Sequence, residues 1–289
     1  MKKPKRLRQL LARPQILVMP CAYDALSARL IEAAGYDACF LSGAAVAASQ
    51  LGMPDIGLLT MTEVVTQARR MAEAIEVPLL ADADTGYGNA INTMRAVREL
   101  ERAGVAGLML EDQVTPKRCG HFEGKAVITR DEMEGKIAAA AEARRDGDLV
   151  LIARTDARAP LGLDEAIARG RAYAKAGADV IFVEAPQSVE ELREIGRALA
   201  GVPLMANMAE GGKTPQVPVR ELQAMGFKLV VFPLTALLAA IKAMREVLAE
   251  LKAAGTAAGY LDRLVGWDEF QSLARKVEVD RLEEQFLRL

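Results

Sequence analysis

The sequence predicts a (β/α)8 barrel with extra helices at its C-terminal end, and three observations predict it. Short apolar runs recur eight times within about 235 residues, each closing in polar residues or glycine and each followed by a helix-like stretch. The runs read as strands buried on both faces, which is the mark of a parallel sheet. Eight such units fit a closed barrel better than an open doubly wound sheet. At 289 residues, 51% hydrophobic and 26% charged, the chain is long enough for one large barrel and too apolar to be disordered.

The runs fall at 15–20, 37–42, 78–84, 105–112, 148–156, 179–184, 202–207 and 228–233. Between them lie amphipathic stretches at 62–75, 90–103, 130–145, 163–176, 189–200 and 219–225. Thr62, Asn89, Thr129 and Ser188 are cap-like residues at helix starts, and Gly35, Gly104, Gly177 and Gly226 stand where helices stop. The repeated Ala-Gly phrases at 34–36, 103–105 and 176–178 are helix ends turning into strands and carry no cofactor motif. Residues 1–289 form a single barrel domain in this reading, with 235–289 a helical extension. The apolar face of that extension (Leu261, Leu264, Trp267, Phe270, Leu273, Leu282, Phe286, Leu287) needs burial, and oligomerisation is the favoured means.

Composition excludes several function classes. Lys plus Arg number 37 against 39 acids, so no basic surface marks a nucleic-acid partner. Three cysteines (Cys21, Cys39, Cys119) without C-x-x-C spacing, and one histidine, His121, exclude a disulfide framework and a Cys/His zinc site. The basic segment 1–13 lacks the apolar run of a signal peptide, and no stretch is apolar enough for a membrane span. The expectation is a cytoplasmic protein with reduced thiols.

In a barrel, working groups sit at the carboxyl ends of strands. Those ends read Ser42-Gly43, Asp82 and Asp84, Glu111-Asp112, Arg154 and Asp156, Glu184, and Asn207. Charges at the ends of buried runs are costly without a purpose. Asp82 and Asp84, two apart at one strand tip, offer hard oxygen ligands for Mg2+, with Asp55, Glu111 and Glu184 able to hold the waters it keeps. Lys117-Arg-Cys119-Gly120-His121 forms a loop in which a thiol of lowered pKa and a working acid or base are expected. Arg154 suits a bidentate grip on a substrate carboxylate, against the alternative of an internal salt bridge to Asp156 or Glu184. Gly211-Gly212-Lys213-Thr214 resembles the end of a phosphate-binding loop, but Asn207 stands where the earlier glycine is required. Cys21 and Cys39 read as core packing.

Together these strings resemble the isocitrate lyase/phosphoenolpyruvate mutase superfamily, in its 2-methylisocitrate lyase and 2,3-dimethylmalate lyase branch. The resemblance rests on Ser42-Gly43, the segment 51–57, Asp82-Ala-Asp84-Thr-Gly-Tyr-Gly88, Glu111-Asp112-Gln113, Lys117-Arg-Cys-Gly-His121, Ala153-Arg-Thr-Asp156 and Asn207. It covers the chain from about residue 10 onward, and the Lys-Arg-Cys-Gly-His string is its most specific part. It implies a homotetramer with C-terminal helices swapped between subunits, and Mg2+ (or Mn2+) held directly by Asp82 and Asp84 and through water by Asp55 and Glu111. It also implies a carbon–carbon lyase that cleaves a 2-substituted malate to an α-keto acid such as pyruvate plus a carboxylate. The catalytic residues are then Cys119, Lys117, Arg154 and His121, with Cys119 handing its proton to the carbanion-like carbon. The substrate-binding residues are Ser42, Gly43, Ala44, Gly120, Glu184 and Asn207.

The base acting on the substrate hydroxyl stays unassigned, because related lyases carry a tyrosine where this chain has Phe40. The methylisocitrate branch holds a third carboxylate with two arginines, and the matching positions here are Leu238 and Trp267. Unpaired, that carboxylate would cost a few kcal/mol, about 2–3, so a dicarboxylic 2-alkylmalate is favoured over a tricarboxylate. Oxaloacetate hydrolysis or decarboxylation, a carboxyphosphonoenolpyruvate mutase, and a non-catalytic scaffold barrel are the alternatives.

Overall fold

Each apolar run forms a strand whose alternate side chains face opposite ways, as a two-residue period requires. The structure, a computed structural model, describes residues 1–287. Among those residues eight parallel strands close in sequence order: β1 (Leu17–Ala22), β2 (Cys39–Leu41), β3 (Leu79–Asp82), β4 (Gly107–Glu111), β5 (Val150–Thr155), β6 (Val180–Val183), β7 (Leu204–Asn207) and β8 (Phe227–Phe232). The barrel closes where β8 pairs back onto β1, with Leu17 opposite Leu229 and Met19 opposite Val231. The expected (β/α)8 fold is therefore the observed one.

Two apolar cores follow from the alternation. Leu17, Met19, Phe40, Leu80, Met109, Ile152, Phe182, Met205 and Val231 fill the barrel interior. The other faces, among them Leu79, Leu108, Leu151 and Ile181, pack under the surrounding helices against Val97, Leu100, Ile137 and Ile167. Each fully buried aliphatic side chain contributes about 1.5–3 kcal/mol, so both layers hold the rim in place.

The helices start where the sequence offers caps. Asn89, Thr129 and Ser188 each accept a backbone N–H from the first turn of the helix they precede. The expected cap at Thr62 belongs instead to Thr60, which exchanges hydrogen bonds with Glu63 in a capping box. The helices that escaped the sequence reading include one at each end of the barrel. Gly43–Leu51 begins directly after β2, capped by Ser42. Lys3–Ala12 lies under the barrel, with Leu7 and Leu10 buried in the interior core.

The chain divides into two compact units, Met1–Thr235 and Ala236–Leu289. The second is helical: it takes up most of the helix Thr235–Ala254 and adds Trp267–Leu273 and Lys276–Phe286. Within it Arg263 pairs with Glu246 and Glu250, and the rings of Trp267 and Phe270 meet at 5.7 Å. Of the apolar residues expected to be buried there, all but Leu273 are exposed, Trp267 by 73%. The last two residues of the 235–289 extension lie outside the described residues. No helix among the described residues is long and apolar enough to cross a membrane.

Candidate active site

The inward-facing apolar layer fixes what lies above it. Two residues beyond Phe40, Leu80, Met109, Ile152, Phe182 and Met205 come Ser42, Asp82, Glu111, Arg154, Glu184 and Asn207. By the strand period these six share the inward face, one layer nearer the carboxyl ends. All but Glu111 border a cavity that opens at this end of the barrel. Ser42, Ala44, Asp55, Asp82, Cys119, Gly120, His121, Arg154, Glu184 and Asn207 line it.

Charge is dense here. Lys117 Nζ lies 2.5 Å from Asp55 Oδ1 and 2.9 Å from Asp84 Oδ1. Arg154 donates from Nε and Nη2 to Asp156 at 2.9 and 3.0 Å, and its guanidinium stands 3.2 Å from Glu111 and 3.4 Å from Glu184. It also lies 5.5 Å over the Phe182 ring, a cation–π distance. The internal salt bridges weighed as the alternative reading of Arg154 are thus present, at the edge of the cavity.

Burial and neighbouring acids shift the titrations. Asp82 is pushed up to about 6, first by burial and then by Asp84. Burial also drives Glu111 well above the ordinary carboxylate range, against the pull of Arg154. Asp156 is buried too, yet Arg154 and Lys125 hold it down at about 2. The thiol corrects the sequence reading: burial raises the Cys119 pKa above its ordinary value. Lys117 faces Asp55 and Asp84, and Arg118 is exposed, so neither cation outweighs the desolvation of the sulfur.

Several glycines admit close approach. A Cβ at Gly43 would fall 2.8 Å from Asp82 Oδ2, and one at Gly120 would fall 2.5 Å from Arg154 Nη2 and 2.6 Å from Glu184 Cγ. The Cys119 N–H donates to the Asp55 carbonyl at 2.9 Å, which ties the thiol loop to the segment that follows the helix Gly43–Leu51.

The expected metal ligands need a qualification. Among the described residues no three Asp, Glu, His or Cys side chains form a closed ligand set. Asp55 and Asp84 face Lys117, and Glu111 faces Arg154. Asp82, by contrast, accepts only the Asp84 N–H at 3.0 Å, and both Glu111 carboxylate oxygens are buried without a hydrogen-bond partner. Asp82, which makes no ion pair, and the unpartnered oxygens of Glu111 are hard donors that fit a hydrated Mg2+, which binds through one or two carboxylates.

Leu238 and Trp267 belong to the C-terminal unit, while the cavity is lined by residues of the barrel unit. The apolar lining that the barrel unit itself supplies is Cys21, Phe40, Met109, Phe182, Met205, Val231, Pro233 and Leu234. Sequence reasoning missed these because it took the inward layer as core alone. It also missed Lys125, whose buried Nζ donates to the Gly120 carbonyl at 2.5 Å and to Asp156 Oδ1 at 2.8 Å. Tyr87, with its hydroxyl buried and unpartnered, was legible only as a turn residue.

A closed parallel barrel with acids, an arginine and a thiol loop at one rim places the chain in the phosphoenolpyruvate mutase/isocitrate lyase superfamily. The chain belongs to the phosphoenolpyruvate phosphomutase family, whose profile matches residues 7–252. It is 46% identical to 2,3-dimethylmalate lyase of Eubacterium barkeri, over 97% of each chain. It is 45% identical to 2-methylisocitrate lyase of Aeropyrum pernix, over 97% of this chain and 92% of that one. A crystal structure of 2,3-dimethylmalate lyase superposes with a TM-score of 0.93 at 39% identity, covering 99% of this chain and 95% of the other. A phosphonopyruvate hydrolase solved with oxalate and Mg2+ superposes at 0.91 and 32% identity, covering 99% of this chain and 100% of the other.

Proposed function

We propose that the chain is a carbon–carbon lyase that splits a 2-alkylmalate into an α-keto acid, pyruvate for a 2-methyl substrate, and a second carboxylate. The observation that carries this reading is a thiol kept protonated by burial, on the wall of a cavity whose other wall is a carboxylate cluster. Cleavage of the C2–C3 bond needs the hydroxyl proton removed and leaves an electron pair on C3, beside a carboxylate. A rim carboxylate takes the hydroxyl proton, and the carbonyl forms at C2. Cys119 delivers its proton to C3, as an acid of raised pKa is suited to do. Arg154, Lys117 and the backbone around Gly43, Ala44 and Gly120 hold carboxylates and developing charge, with Ser42, Glu184 and Asn207 orienting the substrate. Asp82 and Asp84 would hold a divalent cation, Mg2+ or Mn2+, with Asp55 and Glu111 on its waters. When bound there, the ion supplies Lewis-acid stabilisation of the forming keto acid.

The side group is read by the apolar wall. Of the residues lining the cavity, Arg154 is the one guanidinium, and three carboxylates already face it. With Arg154 and Lys117 given to the two malate carboxylates, no further lysine or arginine lines the cavity for a third, whereas Phe40, Pro233 and Leu234 accept alkyl groups. This supports 2,3-dimethylmalate over 2-methylisocitrate, with the apolar selection assigned to the barrel and not to Leu238 and Trp267. The exposed apolar residues of the C-terminal unit support a homo-oligomer, with a tetramer as the expected state.

The test is pyruvate release, coupled to a dehydrogenase, with Mg2+ and each substrate offered in turn. Faster turnover of 2,3-dimethylmalate, lost with EDTA and with Cys119→Ser, is the expected result. A preference for 2-methylisocitrate would overturn the apolar-wall argument, and activity on oxaloacetate alone would overturn the lyase reading.

A further inference from the structure

The string 211–214, set aside in the sequence as a phosphate-loop look-alike, meets the thiol loop at the barrel mouth. The backbone N–H of Lys213 donates to His121 Nδ1 at 3.0 Å. A Cβ at Gly212 would fall 2.7 Å from the same nitrogen and 2.8 Å from Cε1. Gly212 is not among the residues with positive φ, so the backbone does not demand glycine there; the imidazole does.

A ring nitrogen that accepts a hydrogen bond carries no proton, which puts the proton of the neutral imidazole on Nε2. Burial favours that neutral form by lowering the pKa of the ring. Nε2 is itself buried, 3.4 Å from Glu184 Oε1, and makes no hydrogen bond, while the ring lines the cavity.

We propose that Gly212 and the Lys213 amide are positioning residues that lock His121 as the Nε2–H tautomer, so that it acts as a hydrogen-bond donor toward a carboxylate in the cavity and not as a base. The proton assignment stands on the amide geometry alone, and the identity of the acceptor rests on the lyase reading above.

The chain has one histidine, so labelling with 15N-histidine gives a single ring to read. Long-range 1H–15N spectra of the substrate-free protein near neutral pH are expected to show Nδ1 as a lone-pair nitrogen and Nε2 as an N–H nitrogen. Lys213→Ala keeps the amide while removing the ammonium that pairs with Glu123, and is expected to leave that pattern unchanged. Gly212→Ala pushes the ring off the amide and is expected to bring the two shifts toward the average of exchanging tautomers. Averaged shifts or an Nδ1–H pattern in the wild-type protein would overturn the proposal. So would a Gly212→Ala spectrum identical to wild type, or a Lys213→Ala spectrum that changes. A locked tautomer in a protein that releases no pyruvate would refute the lyase reading and leave the tautomer standing.

Discussion

Lys125→Met perturbs the site through a residue that does not itself line the cavity. The Nζ it removes lies 2.8 Å from Asp156 Oδ1, and the two side chains are 1% and 0% exposed. Breaking one side of a buried pair costs about 3–5 kcal/mol, because the remaining charge is left uncompensated. Asp156 keeps two hydrogen bonds from Arg154, so the loss belongs at the lower end, about 3 kcal/mol. The Gly120 carbonyl loses its donor as well. Gly120 packs so tightly against Arg154 and Glu184 that its drift displaces the neighbouring thiol, and a misplacement of about 1 Å lowers turnover by about a hundredfold. Urea unfolding and pyruvate release are measured for Lys125→Met, Asp156→Asn and the double variant. The double variant is expected to be more stable than the sum of the singles predicts, by about 0.5–3 kcal/mol. Lys125→Met within about 0.5 kcal/mol of wild type and at full turnover would refute the reasoning.

Three further outcomes are expected. Cys119→Ser should lower kcat by roughly 10²–10⁴ with little change in KM, and the alkaline limb of the wild-type pH–rate profile should lie above pH 9.0, because burial raises the thiol. Asp156 titrates at about 2 in the folded chain against an ordinary 3.8, so it contributes stability above the higher value and loses it as pH falls through the lower. Unfolding followed from pH 5 down to pH 2 should show roughly 2 kcal/mol more acid loss in wild type than in Asp156→Asn. Chelation should abolish turnover, with recovery on adding Mg2+ or Mn2+; full activity in EDTA would remove the cation from the site.

The strands were legible because parallel strands buried on both faces leave unbroken apolar runs, and the rim followed because polar residues end those runs. What stayed hidden was anything decided by distance along the chain. The sequence sets Lys117, Arg118 and His121 beside Cys119, but Lys117 turns to Asp55 and Asp84, and burial governs the sulfur. Lys125 reads as a surface charge until the fold buries it against Asp156. The helix Lys3–Ala12 shows basic residues and only two buried leucines, too faint a pattern to mark a packed element. Leu238 and Trp267 were matched by position to a relative's pocket, and the barrel unit adds an apolar lining of its own, mostly from the strands, that the runs alone did not mark as a wall.

The filled barrel interior, which the helix Lys3–Ala12 joins from below, has a kinetic consequence. Leu7 and Leu10 plug the amino-terminal end of the strands, where Gly107 leaves room for the Leu7 side chain. Lys3 clasps the carbonyls of Ala72 and Ile75, and Arg8 those of Asp148 and Leu149. The barrel is a blind well. An enzyme that cuts one molecule in two must then send both fragments back through the door that admitted the parent, so the two products share one exit with each other and with the next substrate.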